Sequence, residues 1–242
     1  MKKRVMCFLL TVCLMMFMFP AAAGAADEVL GTLRDTSDGS AWMVKYLGGP
    51  NKGTSTEATS DESFNWAAQR SYSNGLLNTA GYTNGFAISD ATAQSLVWNR
   101  NNQWISINSA GRAANGYYSY VTILADDVAN KIAPDKKLSF NGLGIGYASD
   151  DHLHAIIING VKYSGFSPQA VDHKGWLQNQ VNIKLSSVPW NVNGSNTVEF
   201  IVHNNNSGDP KYGDVSNPTG FSASIRAIYL SEDGPNVPKS GF

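Results

Sequence analysis

Gly146-Tyr-Ala-Ser-Asp150-Asp151-His152-Leu-His154-Ala-Ile156-Ile157-Ile158-Asn159-Gly160-Val161-Lys-Tyr163 reads as strand, tight turn and returning strand. Three consecutive isoleucines are stiff at χ1 and favour the pleated conformation. Asn159-Gly160 is the dipeptide that accepts positive φ at both central positions of a type I′ turn, and Val161 to Tyr163 start the return. The spacing predicts a β-hairpin.

The same signals recur along the chain. Asn-Gly stands at 74, 84, 115, 141, 159 and 193, each time between segments that can form short strands, so repeated turns without helical periodicity point to an all-β antiparallel sandwich. In Phe221-Ser-Ala223-Ser-Ile225-Arg-Ala227-Ile-Tyr229 the odd positions are apolar while Ser222, Ser224 and Arg226 point the other way, as in a half-buried strand. Val198, Phe200 and Val202 give a second inward face with Glu199 and His203 opposed, and 117–124 and 138–147 supply two longer strands. Only 90–96 and 126–131 read as short helices. The longest irregular stretches, 48–63, 164–175 and 204–220, have the length of functional or mobile loops.

Residues 1–25 stand apart. Lys2, Lys3 and Arg4 precede an apolar run to Phe19, and Ala23-Gly24-Ala25 offers small residues for cleavage, which predicts a secretory signal peptide and a mature chain beginning at Ala26 or Asp27. The run is shorter than the roughly 20 residues that cross a bilayer. Both cysteines, Cys7 and Cys13, lie within it, so the mature chain holds neither disulfide nor thiolate metal site. Without the signal the basic residues fall from 18 to 15 against 19 acidic ones. Such a balance argues against nucleic acid as a partner, and no later run has membrane-spanning length. The expected organisation is one sandwich domain over 26–231 and a polar tail over 232–242, released outside the cell or into a periplasm.

Several motifs follow one another in order: Trp42-Met-Val44; Trp98 through Trp104-Ile105; Asn115-Gly-Tyr-Tyr-Ser-Tyr120; Ala148-Ser-Asp-Asp151 through Asn159-Gly160; Trp190-Asn-Val-Asn-Gly194-Ser-Asn196; and Asn217-Pro218-Thr-Gly220-Phe221. This order resembles the galactose-binding-like β-sandwiches. It is similar to the extracellular jelly-roll domains of exosortase-sorted (PEP-CTERM) bacterial proteins and, more distantly, to sugar-binding accessory domains of glycoside hydrolases. The resemblance spans most of residues 40–230 and implies a jelly-roll fold. The chain departs from the sorted proteins in carrying no Pro-Glu-Pro, apolar span and basic tail at its end.

Six tryptophans suit sugar recognition, because an aromatic ring can cover the apolar C–H face of a pyranose while polar groups take its hydroxyls. Trp42, Trp98, Trp104 and Trp190 are expected in the core, whereas Trp176, Trp66 and Tyr212, with His154 and His173, are the ligand candidates. Asp150 and Asp151, with Asp209, Asp214 or Asp172, offer the hard oxygen ligands of one structural Ca²⁺, an ion that the resemblance also implies. His152-Leu-His154 puts two imidazoles on one strand face, a start for a transition-metal site if a neighbouring strand adds a third ligand. No Gly-x-Ser-x-Gly, His-Glu-x-x-His, phosphate-cradling loop or cysteine nucleophile is present. The expected function is a secreted, non-catalytic module that binds carbohydrate, with a glycan or a cell-surface or matrix component as partner. A structural or adhesive role in a matrix or surface layer is the first rival, and a glycoside hydrolase with a spatially defined carboxylate pair the second.

Overall fold

The computed structural model describes residues 28–49, 64–96, 103–125, 138–167, 179–191, 194–204 and 217–231. Its strands are β1 (Glu28–Asp35), β2 (Met43–Gly48), β3 (Tyr72–Ser73), β4 (Leu76–Leu77), β5 (Thr83–Asn84), β6 (Phe86–Ala87), β7 (Ile105–Ser106) and β8 (Arg112–Ala113). They continue with β9 (Gly116–Leu124), β10 (Leu138–Asp150), β11 (His152–Ile158), β12 (Val161–Lys162), β13 (Asn179–Lys184), β14 (Asn196–Asn204), β15 (Asn217–Pro218) and β16 (Gly220–Ser231). Among the described residues one α-helix, α1 (Asp90–Ser95), lies where the short helix at 90–96 is expected, and the Ser89 hydroxyl caps it by accepting from Thr92 N at 3.2 Å. The second expected helix, at 126–131, lies outside the described residues.

Two six-stranded sheets carry the fold. The first runs β13-β10-β16-β7-β6, with β1 also paired to β16, and the second runs β12-β11-β14-β9-β2-β5. Every pairing is antiparallel. The sheets meet over one apolar core, to which β10 and β16 give Leu143, Ile145, Phe221 and Ile225, and the second sheet gives Tyr118, Tyr120, Ile156 and Phe200. Trp42, Phe200 and Phe221 form its centre, with ring centroids 4.8 to 6.0 Å apart in tilted and edge-on arrangements, the geometry that aromatic quadrupoles favour. The architecture is an antiparallel β-sandwich.

Two of the Asn-Gly signals make the turns their chemistry calls for. Asn159 (φ 49°) and Gly160 (φ 86°) join β11 to β12, and Asn74 (φ 51°) and Gly75 (φ 79°) join β3 to β4. Asn141-Gly142 does something else. It lies inside β10, where the register against β16 slips between Phe140 and Gly142, so Asn141 is the extra residue of a β-bulge and not a turn. A Cβ at position 142 would meet the Ile183 carbonyl of the adjacent strand, which excludes larger residues there.

At two corners the chain changes sheet with a single residue between strands. Asp150 pairs with Gly220 in the first sheet and His152 with His203 in the second, so the Asp150–Asp151 peptide, which is cis, is the crossing point. On the opposite flank β5 pairs with β2 and β6 with β7, with only Gly85 between them.

The outer faces of the two sheets differ. On the first, Gly142, Gly144 and Gly146 of β10 alternate with inward Leu143, Ile145 and Tyr147, and β16 turns Ser222, Ser224 and Arg226 outward as its alternation predicts. On the second, the face opposite Val198, Phe200 and Val202 is also buried: Leu47, Tyr117, Ala155, Ile157 and Ile201 form a separate cluster beneath Phe64, Trp66 and Tyr72. Residues 64–82, comprising a 3₁₀ turn at Trp66–Gln69 and the β3–β4 hairpin, cover this face. Glu199 and His203 therefore lie under a second layer instead of facing solvent.

Candidate functional site

The expected ligand region breaks into three parts. Trp176, His173, Tyr212, Asp209, Asp214 and Asp172 lie outside the described residues, as does Trp98. Asp150 and Asp151 are both buried at the sheet-crossing corner. Trp66 and His154 meet on the covered face, edge to face with centroids 5.8 Å apart, and the Arg70 guanidinium lies 4.7 Å above the Trp66 ring. Trp66 is thus half-buried, with a cation–π contact on its ring.

The histidines of β11 and β14 are brought together. A third imidazole does arrive from a neighbouring strand, since His203 stands opposite His152 with ring centroids 5.0 Å apart. His154 is the extra residue where the β11–β14 register slips between Leu153 and Ala155, which keeps it on the same outer face as His152. The rings nevertheless pack on one another and on Tyr117, which stacks on His203 at 4.2 Å and meets His154 edge-on at 5.2 Å. Among the described residues no three His, Cys, Asp or Glu side chains are placed to hold a metal ion. Burial pushes both His152 and His154 down to about 4, helped in His152 by its neighbour His154 and in His154 by Lys162. His152 and His154 are neutral at physiological pH.

At the centre of the covered face sits Glu199, 0% exposed. Arg70 Nη1 donates to its Oε2 at 2.8 Å, Tyr72 Oη donates to the same oxygen at 2.5 Å, and Ser119 Oγ donates to Oε1 at 2.6 Å. Tyr82 Oη bonds Ser119 Oγ at 2.9 Å and extends the network. Burial raises the Glu199 carboxyl above its usual value, and Arg70, Ser119 and Tyr72 act against that rise. A buried carboxylate with a cation and three bonds is a fastening between the 64–82 cover and β14, because leaving it unpaired would be costly.

The asparagine-rich motifs are likewise structural where they are described. Asn159 Oδ1 accepts from Thr197 N at 2.8 Å, while its amide donates to Pro189 O and to Asn196 Oδ1 at 2.6 and 2.7 Å. Asn196 closes the preceding turn by donating to Asn191 O and Gly194 O. Trp190, expected in the core, is only partly buried and packs edge-on against Phe140 at 5.4 Å, at the rim of the main core. Trp42 and Trp104 are fully buried as expected.

Surface concavity lies elsewhere. A cleft of about 440 Å³ opens on the flank where the chain crosses from β5 to β6, lined by Lys45, Tyr46, Thr83, Asn84, Phe86 and Ile107 among others. Phe86 lines the cleft and is 48% exposed. Around it Tyr46 is fixed by donating to Asn115 O at 2.9 Å and by packing on Tyr118 at 5.0 Å. Lys45 Nζ is held by Gln69 O at 2.9 Å over the Tyr82 ring. The Asn84 side chain bonds no described residue and is available. A smaller, polar cleft of about 270 Å³ opens on the outer face of the first sheet, against β1 and β16. Neither was found by sequence reasoning. For the first, the one available signal is an aromatic residue directly after Asn84-Gly85, read only as a turn.

Compared with known proteins, the chain matches no family model and no curated protein.

Proposed function

We propose that this chain is a secreted, non-catalytic β-sandwich module that binds carbohydrate at the β5–β6 cleft. One observation carries the reading: a half-exposed Phe86 ring stands beside the unengaged Asn84 amide, the Thr83 hydroxyl and the Lys45 ammonium in a concave site. A pyranose needs that combination, an aromatic surface for its C–H face and donors and acceptors for its hydroxyls. The galactose-binding-like kinship suggested by the ordered motifs, and the extracellular setting suggested by residues 1–25, belong to the same proposal. Calcium enters it as a structural ion at Asp150 and Asp151. Melting in millimolar Ca²⁺ against chelator tests that part: a rise of a few degrees, lost in Asp150→Asn with Asp151→Asn, supports the ion, and equal melting removes it.

A glycan array probed with the mature protein and with Phe86→Ala tests the function. Wild type binding to at least one glycan class, lost in Phe86→Ala and weakened in Asn84→Ala, is expected. An array on which wild type binds nothing overturns the reading in favour of a matrix or surface-layer role.

A further inference from the structure

The polar cleft on the first sheet gathers groups of both charges without pairing them. Asp35 and Arg226 both line it, together with Thr32, Ser37, Ser224 and Gly146. Among the described residues Asp35 and Arg226 form no ion pair with each other, and the Arg226 and Ser224 side chains hold no hydrogen bond. The rear of the cleft is rigid by contrast. Thr36, 2% exposed, donates its hydroxyl to Gln103 O and bonds Ser222 Oγ at 3.4 Å, and its backbone N–H donates to Ala223 O at 3.0 Å. Asp35 is fixed as well: its Oδ1 accepts from Ser37 N at 2.9 Å and its carbonyl accepts from Trp42 Nε1 at 2.8 Å. Gly146 faces Ser224 across the β10–β16 ladder, so no side chain rises from β10 at that point to block approach.

From this geometry we infer that the cleft is a second binding site, one that takes a neutral, hydroxyl-rich sugar unit by polar contacts alone. A cleft with one fixed carboxylate and one free guanidinium carries no net charge, which disfavours an ionic ligand. Sugar hydroxyls both donate and accept, so adjacent hydroxyls satisfy Asp35 as acceptor and Arg226 as a two-pronged donor. Ser224 supplies a smaller group of either sense, while Ser37, whose hydroxyl donates to Asp35 Oδ1, offers acceptor capacity. The inference rests on the carbohydrate reading but uses a surface that shares no residue with the Phe86 cleft.

The test titrates the ¹⁵N-labelled mature chain, its Phe86→Ala variant and its Arg226→Ala variant with lactose, maltose, cellobiose and, as an acidic contrast, digalacturonate. In Phe86→Ala the amide signals of Gly146 and Ser224 should still shift and saturate with a neutral disaccharide. Arg226→Ala should weaken that response about tenfold or more, the loss of charged hydrogen bonds, and leave shifts at Asn84 and Phe86 unchanged. The inference is overturned if Gly146 and Ser224 stay still with every sugar, if digalacturonate is preferred, or if Arg226→Ala leaves the affinity within about twofold of wild type. Shifts confined to 84–86 overturn this site and keep the proposed function, whereas no shift anywhere overturns both.

Discussion

The two outer faces of this sandwich are built from the same strand alternation and end in opposite states. On the second sheet, residues 64–82 lie over the face and fasten to it through Arg70, Tyr72 and the buried Glu199, so a carboxylate, His152, His203 and Tyr117 are buried and His154 is half-buried. On the first sheet nothing among the described residues covers Ser224 and Arg226, and the cleft there stays open and polar. Titratable residues with displaced pKa values are usually a pointer to function. Here His152, His154 and Glu199 of the covered face carry such shifts, and burial under the cover is their first cause. Phe86, Asn84, Asp35 and Arg226 instead line the two open clefts.

The largest effect that sharpens the contrast comes from the core common to both sheets. Phe200→Ala should cost about 3–5 kcal/mol in denaturant unfolding, because the ring fills the space between Trp42 and Phe221. A loss below about 1 kcal/mol would show that the two sheets do not share that centre.

Next is the fastening of the cover. Arg70→Met leaves Glu199 buried and without its cation, which should cost roughly 3 kcal/mol or more, while Arg70→Met with Glu199→Leu should recover much of the loss. Additive losses would break the claim that the pair acts as one fastening.

The third effect is a pH dependence of stability. His152 and His154 fall from 6.5 in the open chain to about 4 in the fold, so their stabilisation is complete above pH 6.5 and is lost as pH drops through 4. Glu199 runs the other way: its raised carboxyl contributes below its ordinary value of 4.5 and loses that contribution as pH rises. Two histidines outweigh one partly compensated carboxyl, so the urea midpoint should fall between pH 7 and pH 4.5, and His152→Phe should flatten the fall. An unchanged midpoint in wild type would mean that the covered face is open to water.

The smallest effect belongs to the open faces. Phe86→Ala and Arg226→Ala should each change stability by no more than about 0.5 kcal/mol, as surface positions without structural partners do. A larger loss in either would make that residue part of the scaffold.

The sequence shows the turns best where local chemistry suffices. Asn159-Gly160 and Asn74-Gly75 demand positive φ, and both form the tight hairpins their dipeptides specify. Strand 221–229 is equally legible, since Phe221, Ile225 and Arg226 fall on the faces their alternation assigns. Asn141-Gly142 misleads because the same dipeptide also serves a bulge, where the need for a small residue comes from Ile183 on another strand. The burial of Glu199 was hidden for a related reason. Its partners Arg70, Tyr72 and Ser119 lie 80 to 129 residues away, and no local pattern records that residues 64–82 fold over β14. Trp66 reads in sequence as an aromatic ligand surface, whereas the cover packs it against His154 and Arg70. Phe86 is not legible in the sequence because its position at the cleft follows from the sheet crossing at Gly85, a tertiary event.

A crystal structure of the mature chain soaked with a glycan selected on the array tests the central claim most directly. The account predicts a sugar ring lying on Phe86, its hydroxyls reaching Asn84 and Lys45, with residues 64–82 unmoved and Arg70 still on Glu199. A sugar seated against Trp66 and His154, with the cover displaced and the Phe86 cleft empty, would contradict it.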